Sequence, residues 1–189
     1  MALAFCSGSS HAAIANVKSI VIENALTNYL QVSEVVAISA GIDQALAATA
    51  TATGTGDWPL TSPDYAIDGV APDAYPAIYH SDGPGPGEAL TITFNDAIEL
   101  EALSIFGRAE SSFFRDVYDV FIYDAAGALL ASFFDQDATE PGVHRVDVPI
   151  GSVSPVVPVP AAGVLFAGAA SLAAARRTTR KTSRAPSTA

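Results

Sequence analysis

Between residues 17 and 150 the chain alternates short apolar runs with turn residues, and no run keeps the 3.6-residue period of a helix. The runs are "VKSIVIE" (17–23), "YLQVSEVVAI" (29–38), "ALTITF" (89–94), "LEALSIFG" (100–107), "VYDVFIYD" (117–124), "ALLASFF" (128–134) and "HRVDVPI" (144–150). Each is long enough to cross one sheet and too short to stand as a helix, so the pattern restricts the fold to an all-β one. "DAAG" (124–127) reads as a hairpin turn between two of them. "GIDQALAATATATGTGD" (41–57) is rich in alanine, but its alternating threonines and closing glycines predict an extended edge segment. Residues 64–88, "DYAIDGVAPDAYPAIYHSDGPGPGE", read as one long loop punctuated by Pro and Gly. A loop of that length in a compact sandwich is more often functional than idle. The expectation is a β-sandwich or jelly roll over residues 16–152.

Charge is distributed unevenly along the 189 residues. Up to residue 155 the chain carries all 20 acidic side chains and four basic ones, Lys18, Arg108, Arg115 and Arg145, a balance of −16. Such a body repels phosphate backbones, which excludes nucleic acid as a partner. The other five basic residues, Arg176, Arg177, Arg180, Lys181 and Arg184, follow residue 175. With a single cysteine, Cys6, no intrachain disulfide can form, so the core or a metal must hold the fold.

Both ends look like targeting segments. "MALAFCSGSSHAAIA" (1–15) ends in a cleavage-like "AIA" but lacks a basic start, and its apolar stretch is short. It reads either as a truncated signal peptide or as a disordered N-terminus. Phe5 is too bulky to precede a lipidated Cys6. At the other end a Pro-rich linker (153–160) precedes an uncharged stretch (161–175) and a basic tail (176–189). Fifteen helical residues span roughly 22 Å, short of the ~30 Å hydrocarbon core, but snorkelling arginines allow insertion. The arginines would then stay cytoplasmic and the acidic body outside. A soluble C-terminal helix is the alternative. The order "VPVPAAGVLFAGAASLAAARR" (157–177) resembles the VPLPA/PEP-CTERM sorting signals of Gram-negative bacteria. Val157, Pro158, Val159, Pro160 and Ala161 match the motif, with Val159 where leucine is usual, and Arg176 and Arg177 match the arginine cluster. The resemblance implies export, an inner-membrane-anchored precursor, recognition by an exosortase-type protease, and delivery to the cell surface or extracellular matrix.

Two of the body's three arginines lie in "GRAESSFFRD" (107–116). Arg108 and Arg115 are seven apart, which on one straight strand would put them on opposite faces. With "ESS" between them the chain turns, and both can converge at one end of the sandwich. Glu110 can orient one guanidinium. His80, in the long loop, adds an imidazole. Fixed planar donors with nearby apolar surface, here Tyr75, Tyr79, Phe113 and Phe114, are what a sugar needs. The same arginines could instead pair with Glu110, Asp116 and Asp119 on the surface. Trp58 reads as a loop packing residue. His11, His80 and His144 have no metal-ligand spacing, and no nucleophile–base set or carboxylate pair marks an enzyme.

These residues carry a second resemblance. His80, 27 intervening residues and "RAESSFFR" are similar to the His…Arg-x-Asp-x4-Arg motif of F-type, fucose-binding lectins in the discoidin-like (F5/8 type C) family. The resemblance implies a discoidin-like (galactose-binding-like) jelly roll in which His80, Arg108, Glu110 and Arg115 bind carbohydrate, with glycans or exopolysaccharide as partners. Glu110 stands for the family's aspartate. Ser111 and Ser112 stand where many members carry adjacent cysteines that pack on the sugar. "YAIDG" (65–69) resembles the family's "NAIDGN" at a structural calcium site. Asp68 maps to a side-chain ligand, and Tyr65 and Val70 to backbone carbonyls. "LQVSEV" (30–35) resembles the family's last strand, which makes Glu34 a carboxylate ligand and Ser33 a carbonyl ligand. Because that strand comes first here, the resemblance implies a circular permutation. The alternative function is a non-catalytic structural protein of envelope or biofilm matrix with a vestigial sugar pocket.

Overall fold

The computed structural model describes residues 13–152. The possible signal segment up to residue 12, the linker, the 161–175 stretch and the basic tail, with the motif 157–161, Arg176 and Arg177, lie outside the described residues. Among the described residues no helix is long and apolar enough to cross a membrane.

The described chain is all-β and antiparallel, with three short 3-10 turns. The strands are β1 (Ile14–Asn24), β2 (Tyr29–Val32), β3 (Glu34–Ser39), β4 (Ile42–Asp43), β5 (Ala50–Gly54), β6 (Tyr79–Pro84), β7 (Ala89–Leu100), β8 (Ala102–Phe106), β9 (Val117–Tyr123), β10 (Leu129–Asp137) and β11 (Arg145–Val148). One sheet runs β10-β9-β1-β7-β5, a second β11-β8-β3-β4, and β2 pairs separately with β6. Period-2 alternation decides which side chains go inside. Ile20 and Ile22 of β1, Leu90, Ile92 and Phe94 of β7, and Tyr118, Val120 and Ile122 of β9 are buried from the first sheet. Val35 and Ala37 of β3 with Leu103 and Ile105 of β8 come from the second, and all belong to one apolar cluster.

Local chemistry accounts for several of these elements. In the β9–β10 turn Asp124 Oδ1 accepts from the N–H of both Ala126 and Ala128 at 2.8 Å, and Gly127 supplies the left-handed residue at φ 77°. β5 is an edge strand of its sheet, as the alternating threonines of 41–57 predict.

Other boundaries differ from the sequence expectation. The run 29–38 is two strands in different sheets. Ser33 breaks it: its N–H goes to Phe106 O and its hydroxyl accepts from Asp73 N, so neither continues a β2 ladder. β7 continues to Leu100 through "NDAIEL", where Ile98 and Leu100 still pair with Val17 and Ile14; the Asn-Asp pair had the composition of a turn. The loop 64–88 contains β6, which "YHSDGP" conceals because it lacks apolar alternation. β1 starts at Ile14, inside the stretch assigned to a signal segment.

Candidate functional site

The β2–β6 pair and the connection from β8 to β9 build one end of the domain. In the β2–β6 register Gln31 lies opposite His80. The connection carries Arg108 just after β8 and Arg115 just before β9, so the two ends of one loop bring the arginines together. Asp116 ties those ends: its buried carboxylate accepts from Arg108 N at 2.7 Å. Burial pushes that carboxyl up to about 7, against the Arg108 N–H and the two guanidiniums, which pull it down. Asn24 adds a second tie, donating from Nδ2 to Tyr29 O and Arg115 O, both at 2.9 Å.

A Cβ on Gly107 would overlap the Asp116 side chain. Gly107→Ala should therefore lower stability by about 1–3 kcal/mol, the usual range for forcing a methyl into packed structure. Urea unfolding checks this, and an unchanged midpoint would show that Asp116 is not a fixed brace.

His80, Arg108 and Arg115, with Tyr29, Trp58 and Tyr75, line a cavity of about 320 Å³. Two facing guanidiniums require the Gln31 carboxamide to present its oxygen. So oriented, that oxygen lies 3.0 Å from Arg115 Nη2, 3.3 Å from Arg108 Nη1 and 3.0 Å from His80 Nε2. Gln31 is fully buried. His80 Nδ1 is 2.7 Å from Ser81 O and must donate there, because a carbonyl only accepts. A neutral His80 then has no proton on Nε2 for Gln31. Burial, and more weakly Arg115 and Arg108, hold the imidazole below its ordinary pKa and oppose the second proton. The two guanidiniums thus share one amide oxygen, and His80 Nε2 lies beside it without a proton to give.

Glu110 orients Arg108, accepting from Nε at 2.9 Å and from Nη2, and also accepts from Tyr75 N at 3.3 Å. The alternative of two surface ion-paired arginines does not describe Arg115. Among the described residues its guanidinium has no carboxylate within salt-bridge distance, Nη1 reaches Asn28 Oδ1 at 3.3 Å, and buried Nε has no partner. Asp119 instead accepts from Asp135 N.

The aromatic lining differs from the sequence expectation. Trp58 packs edge-on to Tyr29 at 5.7 Å and lies 5.5 Å from the His80 ring, so it is a wall of the cavity. Arg115 lies over Tyr29 at 5.6 Å and Arg108 over Tyr75 at 5.8 Å. Tyr79 is in the core, its hydroxyl donating to Gly56 O or Ala89 O. Strand alternation sends Tyr79 inward while its neighbour His80 faces the cavity. Phe113 packs on His144, and Phe114 is exposed outside the lining. Tyr29, Gln31, Asn24 and Asp116 were missed. A glutamine inside an otherwise apolar run, "YLQV", was the available signal for Gln31.

A second acidic feature lies at the start of β3. Glu34 is buried; Oε2 accepts from Gly69 N at 3.2 Å and Oε1 has no partner. Burial raises its carboxyl to about 8, with the Asp68 and Asp43 charges adding to the rise. Asp68 Oδ1 caps Val70 N at 2.8 Å. Among the described residues no group of three or more His, Cys, Asp or Glu side chains is placed to hold a metal. An orphaned buried carboxylate oxygen beside a second carboxylate nevertheless fits a hard cation whose other ligands are carbonyls and water. Ser33 is buried next to it, while Asp68 and Val70 are exposed and Tyr65 half-buried, within the 3-10 turn Pro63–Ile67.

A larger cavity, about 540 Å³, lies among Ala13, Glu99, Glu101, Leu103, Val148 and Ile150 and has no convergent donors in its lining. Comparison of the chain with family models, curated proteins and solved structures returns no match.

Proposed function

We propose that the chain is an exported carbohydrate-binding module, a circularly permuted relative of the discoidin-like F-type lectins, delivered to the cell surface or matrix by its C-terminal sorting signal. The observation that carries this reading is the convergence of His80, Arg108 and Arg115 in one aromatic-walled cavity. His80 on β6 and the loop of Arg108 and Arg115 are separated in sequence; the guanidiniums supply fixed donors and His80 a ring nitrogen, while Trp58, Tyr29 and Tyr75 supply apolar surface for the C–H face of a pyranose. The mechanism is reversible binding by preformed groups, without catalysis. Affinity per site is weak and is raised by multivalent display on a surface or polymer. Glu34 and Asp68 hold calcium, with carbonyls of Ser33, Tyr65 and Val70 completing the shell. The ion fixes the loop after residue 62 to β3 and takes no part in sugar chemistry.

A second reading, a structural protein of envelope or matrix, draws support from Gln31. Its oxygen already engages three of the cavity's nitrogens, and Ser111 and Ser112 replace the cysteine pair that packs on sugar in many lectins. Glycan-array binding followed by calorimetry on the full chain separates the two. The lectin reading expects saturable binding that His80→Ala with Arg108→Ala reduces at least 100-fold while the melting temperature drops by only a few degrees. Absence of binding to any glycan, with the double variant melting far lower, would leave the structural reading.

A further inference from the structure

The proposed saccharide site has an unusual charge for this chain. The body has 20 acidic side chains against four basic ones, yet the cavity lining contains two of those four and no carboxylate. Only Arg108 is paired, with Glu110. Among the described residues Arg115 has no carboxylate within salt-bridge distance, and its buried Nε has no partner. The amide and main-chain oxygens nearby are committed. Gln31 Oε1 faces three nitrogens, His80 O accepts from Trp58 N at 2.8 Å, and Tyr29 O accepts from Asn24. Tyr75 Oη points away and donates to Pro59 O at 2.9 Å.

A neutral sugar hydroxyl can donate its hydrogen to the Nε2 lone pair of neutral His80, but it brings no negative charge to set against the two guanidiniums. A carboxylate brings acceptors alone, two oxygens in the plane that a guanidinium fork matches. Each guanidinium also lies over a ring of the lining, Arg115 over Tyr29 and Arg108 over Tyr75, which helps to keep it in the cavity for such a contact. From this excess of positive charge, and resting on the carbohydrate-binding reading, we propose that the cavity takes an acidic saccharide, a uronate whose carboxylate lies between Arg108 and Arg115, and that Gln31 determines this choice. An amide at position 31 orients the guanidiniums without neutralising them; a carboxylate there would take the ligand's place.

Matched pairs differing only at C6 provide the test: methyl β-D-galactopyranoside against methyl β-D-galacturonide, and the gluco pair, each titrated calorimetrically into the full-length chain at 50 mM NaCl. One or both uronides bind at least 10-fold tighter than their neutral partners, and the gap narrows at 500 mM NaCl. In Gln31→Glu the preference disappears, and the melting temperature shows whether the variant is folded. Neutral glycosides or L-fucose binding as tightly as the uronides would overturn the acidic-ligand inference and leave the carbohydrate reading standing. Sodium acetate binding as tightly as a uronide would overturn it too, as an anion site indifferent to sugar. Failure of every saccharide, together with an empty glycan array, would remove both.

Discussion

Stripped of divalent cations, the protein loses stability as the pH rises from about 5 to about 8, and millimolar calcium abolishes that loss. The sign follows from Glu34. Its carboxyl titrates at about 8 in the fold against an ordinary value of 4.5. Between those values the unfolded chain has released a proton that the folded chain still holds. The contribution is therefore fully present below pH 4.5 and is lost as the pH passes through 8. The difference between the two values corresponds to on the order of 5 kcal/mol for a group this buried. Calcium, bound as proposed, would remove the penalty on the charged form of Glu34. Asp116, pushed up to about 7, slopes the same way but does so with or without the ion, so the calcium-dependent difference isolates Glu34. Thermal melts at half-unit pH steps, with chelator and with calcium, measure it. Glu34→Gln should be insensitive to calcium and flatter with pH. Identical profiles with chelator and with calcium would show that the pair does not bind the ion.

The two sites are joined by a short path. Val32 and Ser33 separate Gln31, beside the cavity, from Glu34 at the carboxylate pair. The Ser33 hydroxyl accepts from Asp73 N at 2.6 Å, and Asp73 O accepts from Ala109 N at 2.9 Å, between Arg108 and Glu110. A cation held by Glu34 and Asp68 therefore steadies the segment that carries Asp73 and Tyr75. Chelation should weaken saccharide binding several-fold even where the fold survives, which the same calorimetry measures.

How much of this was legible in sequence depended on the range of the interactions involved. Alternation is local, and it marked β9, the second half of β1 and the first half of β10, where every second side chain is buried. The convergence of His80, Arg108 and Arg115 could be anticipated only from motif spacing. Its actual cause is the pairing of Gln31 with His80 and the Asp116 tie across the arginine loop, both contacts between residues distant or hidden in sequence. Trp58 was read as a loop packing residue and does pack from a loop, but a tryptophan in a loop gives no indication of which rings it will meet. Tyr79 and His80 show the opposite problem. They are adjacent in sequence, but a one-residue step along β6 separates core from cavity, and that phase is fixed only by the register with β2. The break at Ser33 was invisible because "YLQVSEVVAI" continues its apolar character through it, while the hydrogen-bond partners change from one sheet to another.

Replacing Gln31 with leucine should lower stability by about 3 kcal/mol and eliminate saccharide binding. The two side chains have similar volume, so little of the cost is a cavity. The loss is polar: Arg108, Arg115 and His80 lose the oxygen they face, and two guanidiniums held over tyrosine rings are left to repel each other. Stranding a donor costs about 1–3 kcal/mol each, more for a charged one, but both arginines retain a path to solvent through the open cavity, which limits the total. Gln31 O is unaffected, because it is main chain and continues to accept from Tyr118 Oη at 2.7 Å. The β2 backbone therefore stays anchored, and the effect is confined to the side-chain network. That separates two outcomes. A variant about 3 kcal/mol less stable in urea, still folded and unable to bind any glycan, identifies Gln31 as the residue that holds the donors in register. A variant as stable as the parent would mean that the guanidiniums rely on Glu110, Asn28 and water instead. The cavity would then be assembled by its arginine loop alone.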